Sequence, residues 1–147
     1  MKSISFFVDG DPKGQPRPRA FARRMGNKFV ARVYDSSTAE GWKSLIAQVA
    51  QPYRGEPLAG PVRLKLTFII RRPKKHFRSN KLEKGLRLDA PFYHTAKPDN
   101  DNLQKAVMDA LTQLGGFWKD DAQVAIVDSS KVYGQQTGCH IIIEEAA

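Results

Sequence analysis

The nine residues from 62 to 70, VRLKLTFII, constrain the fold more than any other stretch of this chain. Apolar side chains occupy the even-numbered positions, and the positions between them include Arg63, Lys65 and Thr67. Successive side chains of an extended strand point to opposite faces, so this period of two places all the even-numbered side chains on one face. The pattern therefore predicts a β-strand with one buried face.

Three other stretches have the composition of strands. Residues 3–8 read SISFFV and end at an Asp-Gly-Asp-Pro turn. Residues 123–128 predict a further strand, which residues 130–132 are expected to continue. Residues 138–144, GCHIIIE, predict a last strand.

Two helices are predicted from capping residues and from apolar residues at helical spacing. The first opens on S-T-A-E, which has capping-box spacing with Ser37 as the cap, and Trp42 lies on its apolar face. At this spacing Trp42 is expected in the core rather than stacked on a base. The second helix is predicted from Asn102, and Gly115 and Gly116 are expected to end it.

Length and composition exclude several classes of protein. A chain of 147 residues fits one domain, here residues 1–147. The single Cys139 excludes an internal disulfide, and no apolar run is long enough to span a membrane, so a cytoplasmic protein is expected. Because there is no Gly-Lys-Ser/Thr phosphate-binding loop, we expect no nucleotide cofactor.

The charge is divided unevenly along the chain. Residues 1–97 carry 21 Lys/Arg and 7 Asp/Glu, whereas residues 98–147 carry 3 and 8, which together give the formal net charge of +9. A basic excess indicates a polyanionic partner such as nucleic acid, because Lys and Arg displace counterions from phosphates. A merely soluble basic protein is an equally good explanation of the charge alone.

The basic residues concentrate in two segments without predicted regular structure. One is an arm within residues 10–34 whose prolines keep it extended and whose Met25-Gly26-Asn27 predicts a hairpin tip. The other, residues 71–98, interleaves nine Lys/Arg with Phe77, Phe92 and Tyr93, a mixture that suits nucleic-acid contacts. The residues expected to follow a DNA backbone are Arg17, Arg19, Arg23, Arg24, Arg71, Arg72, Lys74, Lys75 and Lys97.

A cluster of acidic residues begins directly after the second basic segment. Asp99 and Asp101 follow Pro98, which favours extended backbone just before it, so both carboxylates are expected to project the same way. Two carboxylates about 4 Å apart repel by about 4 kcal/mol at an effective dielectric of about 20, so the cluster requires a cation. All-oxygen ligands suit Mg²⁺ or Mn²⁺. The alternative is helix capping by the aspartates with Lys105 as an ion-pair partner, and it explains one acid here more easily than two pairs.

The two acidic blocks also carry a family resemblance. K-P-D-N-D-N-L-Q-K-A-V-M-D-A-L, residues 97–111, followed by G-F-W-K-D-D-A-Q-V, residues 116–124, resembles the RusA family of bacterial and prophage Holliday junction resolvases. The resemblance implies that Asp99, Asp101 and Asp121 hold Mg²⁺, with Asp120 in support. It also implies that Lys105 is an essential lysine.

This resemblance implies a fold and an activity. The fold would be a small α/β (α+β) domain in which two main helices pack on a mixed β-sheet. The activity would be Mg²⁺-dependent resolution of four-way DNA junctions by paired symmetric nicks, performed by a homodimer in DNA recombination and repair. The protein would work in the bacterial cytoplasm, associated with the nucleoid. Two alternatives stay open: a related nuclease acting on flaps, single strands or RNA, and a junction-binding architectural protein whose site has decayed.

Overall fold

A computed structural model describes residues 3–15, 24–25, 28–29 and 38–146 of the chain. Within these ranges it has six strands and two α-helices. They are β1 (Ser3–Asp9), β2 (Arg24–Met25), β3 (Lys28–Phe29), α1 (Ala39–Ala50), β4 (Val62–Ile70), α2 (Asn100–Leu114), β5 (Val124–Tyr133) and β6 (Gly138–Glu145).

Four of the strands form one mixed sheet in the order β1-β6-β4-β5. β6 runs antiparallel to both β1 and β4, whereas β4 and β5 are parallel. Parallel neighbours need a long crossover, and here it comprises residues 71–123, including α2. The predicted mixed sheet with two main helices is confirmed.

The core lies between one face of the sheet and the two helices. Val62, Leu64, Leu66 and Phe68 of β4 are at most 1% exposed, which confirms the face predicted from their alternation. The apolar faces of α1 and α2 cover this layer, and Trp42 is only 2% exposed, as predicted. The sheet and α2 thus form the frame on which the acidic residues are placed.

Three predicted boundaries shift. Thr38, not Ser37, caps α1, because its hydroxyl accepts a hydrogen bond from the backbone N–H of Gly41. α2 begins at Asn100, two residues before its predicted start. The two predicted stretches between 123 and 132 form one strand, β5. Its pairing with β4 shifts register once, between Val62 and Arg63 of β4.

The two basic segments differ in how much of them is described. Of the arm, the structure describes residues 10–15 and the antiparallel pair of β2 and β3, which agrees with a hairpin; its tip and residues 30–34 lie outside the described ranges. Residues 71–98 contain three short 3₁₀ turns, and Phe77 is buried among them.

The predicted end of α2 is confirmed: Gly115 and Gly116 adopt φ of 77° and 95°, which side chains disfavour.

Candidate metal and nucleic-acid site

The start of α2 places Asp99 and Asp101 differently from the sequence prediction. Asp99 is extended, with φ −72° and ψ 147°, and occupies the capping position, but its side chain makes no capping hydrogen bond. Asp101 lies in the first helical turn and its Oδ1 accepts a hydrogen bond of 2.9 Å from the backbone N–H of Asn102. Asp99 is therefore extended and Asp101 helical, and the capping alternative accounts for Asp101 better than for Asp99. That both carboxylates project the same way stays a prediction.

Asn100 explains why the helix starts so early. Its Nδ2 donates a 3.2 Å hydrogen bond to the carbonyl oxygen of Ser129 in β5, and the hydroxyl of Ser129 donates to Asn100 Oδ1. These bonds tie the residue between the two aspartates to the sheet. Sequence reasoning did not identify Asn100 or Ser129 as part of the site, because their contact spans 29 positions.

Lys131 fixes the backbone that leads into the site. Its Nζ donates hydrogen bonds of 2.8 Å to the carbonyl oxygen of Ala96 and 2.9 Å to that of Pro98. A charged donor makes such bonds short and strong. The alternation of β5 could have placed Lys131 on the same side as Ser129, but nothing local shows what its ammonium binds. We define Asp99 and Asp101, held in this way, as the acidic helix start.

An exposed lysine and the described part of the arm lie beside the acidic helix start. Lys97 Nζ lies 3.4 Å from Asp99 Oδ2, and the Lys97 side chain is 87% exposed, so this ion pair is a weak one. The basic arm also passes here, because the backbone N–H of Gln15 donates a 2.9 Å hydrogen bond to the carbonyl oxygen of Asn102. A Cβ on Gly14 would come within 3.0 Å of Asn102 Cβ, so the arm approaches α2 closely. The acidic helix start therefore lies between Lys97 and residues 14–15 of the arm in its contacts.

The second acidic pair, Asp120 and Asp121, lies in the turn after α2, which we call the acidic turn. Asp120 caps a short 3₁₀ helix by accepting a 2.9 Å hydrogen bond from the N–H of Ala122, and this bond lowers the pKa of Asp120. The pKa of Asp121 is raised, first by the hydrogen bond that it shares with Asp120, then by burial and by the charges of Asp120 and Asp109.

Gln123 holds the acidic turn and was also missed from the sequence. Its Oε1 accepts hydrogen bonds of 2.8 and 3.0 Å from the N–H groups of Lys119 and Asp120. Its Nε2 donates bonds of 2.7 and 3.0 Å to the carbonyl oxygens of Leu58 and Gly60. The side chain of Gln123 thus connects the acidic turn to the loop that precedes β4.

The two acidic pairs lie toward opposite ends of α2. Asp109, not Asp99 or Asp101, is the helix carboxylate whose charge raises the pKa of Asp121. Eight residues separate Asp101 from Asp109, about 12 Å along a helix that rises 1.5 Å per residue. Lys105 is exposed midway, four residues from each. Among residues 3–15, 24–25, 28–29 and 38–146, no three Asp, Glu, His or Cys side chains are grouped to hold a metal ion.

The donor set nevertheless fits a hard divalent cation by its chemistry. Asp99, Asp101 and Asp121 offer only carboxylate oxygens, which Mg²⁺ and Mn²⁺ prefer. The pKa of Asp121 is raised chiefly by the hydrogen bond that it shares with Asp120, and further by the charges of Asp120 and Asp109, which a bound cation would offset. The prediction that these three residues share one ion stays a prediction.

The residues predicted to bind DNA fall into three groups. Arg17, Arg19 and Arg23 lie outside the described residues, and only the backbone pairing of Arg24 is described. Arg72 is engaged within the fold: its Nη1 donates a 2.7 Å hydrogen bond to the carbonyl oxygen of Pro91, and its guanidinium lies 5.3 Å from the centre of the Tyr133 ring. The exposed members are Arg71, Lys74, Lys75 and Lys97.

None of the helices in the described ranges is long and apolar enough to cross a bilayer.

Comparison with known proteins gives one family and two kinds of relative. Residues 9–144 match the family described as endodeoxyribonuclease RusA. The uncharacterised protein YqaN of Bacillus subtilis (strain 168) is 35% identical over 152 residues, covering 100% of this chain and 99% of YqaN. The crossover junction endodeoxyribonuclease RusA of Escherichia coli (strain K12) is 51% identical over 39 residues, which are 26% of this chain and only 32% of that protein. RusA of Shigella sonnei matches to the same extent.

Proposed function

Because this chain belongs to the RusA family of endodeoxyribonucleases, whose match spans residues 9–144, we propose that it resolves four-way DNA junctions. The reaction would be Mg²⁺-dependent hydrolysis of phosphodiester bonds by paired symmetric nicks, with Mn²⁺ as a possible substitute. The protein would act as a homodimer in the bacterial cytoplasm, associated with the nucleoid, in recombination and repair.

The observation that carries this proposal is that the acidic helix start directly follows one basic segment in the chain and contacts residues 14–15 of the other. The arm reaches the first turn of α2 through the hydrogen bond from Gln15 to Asn102, and residues 71–98 run directly into Asp99. A DNA strand that follows the exposed cations Arg71, Lys74, Lys75 and Lys97 would bring its phosphates beside these carboxylates.

The chain's own residues would divide the work. Asp99, Asp101 and Asp121 would hold the Mg²⁺, which supplies Lewis-acid activation of water and neutralises charge on the phosphate. The ammonium of Lys105, exposed on α2 between Asp101 and Asp109, would stabilise negative charge developing at phosphorus. Products would carry a 5′-phosphate and a 3′-hydroxyl.

The homodimer belongs to the proposal because of the symmetry of the reaction. Two symmetric nicks need two active sites related by a two-fold axis, which a C₂ dimer supplies.

The test uses an immobile four-way junction, end-labelled on each strand in turn, with Mg²⁺ and with EDTA. We expect paired symmetric nicks that need Mg²⁺ and that Asp101→Asn abolishes, because an amide loses the charge that binds the ion but keeps the oxygen that accepts from Asn102. Asp128→Asn, an exposed aspartate on β5, is the matched control and should cleave normally.

Other outcomes would select the alternatives. Stronger cleavage of flaps, single strands or RNA in direct competition would replace the junction as substrate. Tight junction binding without nicks in Mg²⁺ or Mn²⁺ would identify an architectural protein and refute the enzymatic proposal.

A further inference from the structure

An exposed pair of aromatic rings lies in the segment that leads into the acidic helix start. Phe92 and Tyr93 are each 61% exposed, and their rings meet edge to face with centroids 4.9 Å apart. We propose that this aromatic pair stacks on the unpaired or loosely stacked bases at the branch point of the DNA. This ligand assignment rests on the proposed function.

The backbone of the aromatic pair is fixed, although its rings are exposed. Tyr93 pairs with Val132 in an antiparallel bridge at the end of β5. The N–H of Tyr133 donates a 3.0 Å hydrogen bond to the carbonyl oxygen of Phe92, and the N–H of His94 donates a 3.0 Å bond to that of Lys131. Rigid display lowers the entropy lost on binding, so it suits a surface that must hold bases in one geometry.

The residues just before the aromatic pair are also anchored. Arg72 donates to the carbonyl oxygen of Pro91, and its guanidinium lies over the ring of Tyr133. The rings of His76 and His94 contact the same tyrosine, with centroids 4.8 and 5.2 Å away. Arg72 and the rings of His76, His94 and Tyr133 thus pack together beneath the aromatic pair, whose own rings are exposed to solvent.

The charge around the aromatic pair selects nucleic acid as its partner. Residues 71–98 contain nine Lys/Arg and only two acidic residues, Glu83 and Asp89. Exposed aromatic rings among cations combine base stacking with attraction to phosphates, the combination found where single strands are bound. Apolar side chains also act as wedges that unstack base steps.

The position along the chain fits a role at the branch point. Six residues separate Tyr93 from Asp99, so their Cα atoms are at most about 20 Å apart. At about 3.4 Å per base step on one strand, that reach corresponds to at most about six nucleotides. Bases stacked on the aromatic pair would therefore lie within a few nucleotides of the phosphate that is cut.

The experiment measures base unstacking with 2-aminopurine placed at the branch point of a four-way junction. The protein carries Asp101→Asn so that binding is observed without cleavage. We expect fluorescence to rise on binding, because the probe leaves the stack of DNA bases, which is what quenches it most strongly. In the combined variant Phe92→Ala, Tyr93→Ala this rise should disappear, and junction affinity should fall about fivefold or more.

Matched variants separate stacking from general hydrophobicity and from folding. Leu88→Ala removes an apolar side chain that is 98% exposed in the same segment and should change neither signal nor affinity. Phe92→Trp should keep the fluorescence rise, whereas Phe92→Leu should weaken it. The thermal midpoint should stay unchanged in all of them, because the substituted side chains are largely exposed.

Three results would overturn the proposal. One is a fluorescence rise that persists when the double alanine substitution is added to Asp101→Asn, together with cleavage that persists when it is made with Asp101 intact, which would leave the resolvase assignment standing. Another is a change of the double alanine variant from dimer to monomer in light scattering, since the rings would then contact a second copy of the chain. The third is absence of junction binding by the wild type, which would refute this inference together with the proposed function.

Discussion

Asp99 and Asp101 at one end of α2 are held by side chains of β5, whereas Asp120 and Asp121 beyond its other end are held by Gln123 of their own turn. The acidic helix start thus depends on contacts about 30 positions apart in sequence. The acidic turn is capped by neighbours within three residues, and only its link to Leu58 and Gly60 is distant. One carboxylate pair is positioned by the assembled sheet, and the other largely by local sequence.

The largest effect should follow loss of the distant support. Lys131→Met keeps the length of the side chain but leaves the carbonyl oxygens of Ala96 and Pro98 without their charged donor. We expect a loss of unfolding free energy of about 2 kcal/mol or more. Cleavage should fall about 10- to 100-fold, mainly in kcat, since misplaced catalytic groups cost rate more than binding.

Lys119→Met is the control for this variant, because Lys119 is an exposed lysine of the acidic turn. It should change neither stability nor kcat. If Lys131→Met loses junction affinity and keeps kcat, Lys131 serves DNA binding instead of holding the backbone.

The local support should matter somewhat less. Gln123→Ala removes four hydrogen bonds around the acidic turn and should cost about 1 to 3 kcal/mol of unfolding free energy. Hydrogen exchange should rise at the amides of Lys119 and Asp120 while the amides of α2 stay protected. Gln113→Ala, an exposed residue of α2, is the control, and equal exchange in both variants would contradict a role for Gln123.

The region of the acidic helix start, which includes His94 beside Lys131, should respond to pH through histidine. Burial, and then the charge of Lys131, lower the pKa of His94, so the native state takes up a proton less readily than the unfolded state. Stability should be constant above the ordinary histidine pKa of about 6.5 and should fall as the pH drops below it. The decrease in thermal midpoint from pH 7 to 5.5 should be smaller in His94→Gln.

His76 adds to that decrease with the same sign, because burial also lowers its pKa. Replacing both histidines should therefore flatten the profile further. If the thermal midpoint of the double variant changes with pH as in the wild type, burial does not lower the pKa values of these histidines.

The smallest effect concerns the pKa of Asp121. Asp120→Asn removes a charge and the shared proton but keeps an oxygen that can accept from Ala122, so the turn should persist. The pKa of Asp121 should move down toward its ordinary value, as measured by NMR titration of the carboxyl carbons. Asp128→Asn should leave it unchanged, and an equal shift in both would point to a general effect of net charge.

Sequence reasoning succeeded where a structure depends on local pattern. The alternation in β4, the apolar spacing of both helices and the Gly115-Gly116 stop were all readable, because each reflects burial or backbone geometry within a few residues. The resemblance implied the family, which the family match confirms, and the fold class, which the mixed sheet and two helices confirm.

Prediction from the sequence failed where side chains distant in sequence decide the geometry. The apolar spacing placed the start of α2 at Asn102, but the bonds between Asn100 and Ser129 accompany a start two residues earlier. The roles of Lys131 and Gln123 were invisible for the same reason, since their partners are backbone carbonyls that no side-chain pattern marks. Whether the two acidic pairs share an ion depends on placement that local pattern does not encode.

The parallel pairing of β4 with β5 has a consequence for how such proteins can diversify. Both strands are fixed by the sheet, so the crossover between them can gain or lose residues without altering the strands' register. Residues 71–98 enter this crossover just ahead of the acidic helix start and are docked on β5 by Tyr93 and His94. Residues 71–91 could therefore vary in length and sequence, while residues 92–98, which β5 holds, keep the carboxylates in place.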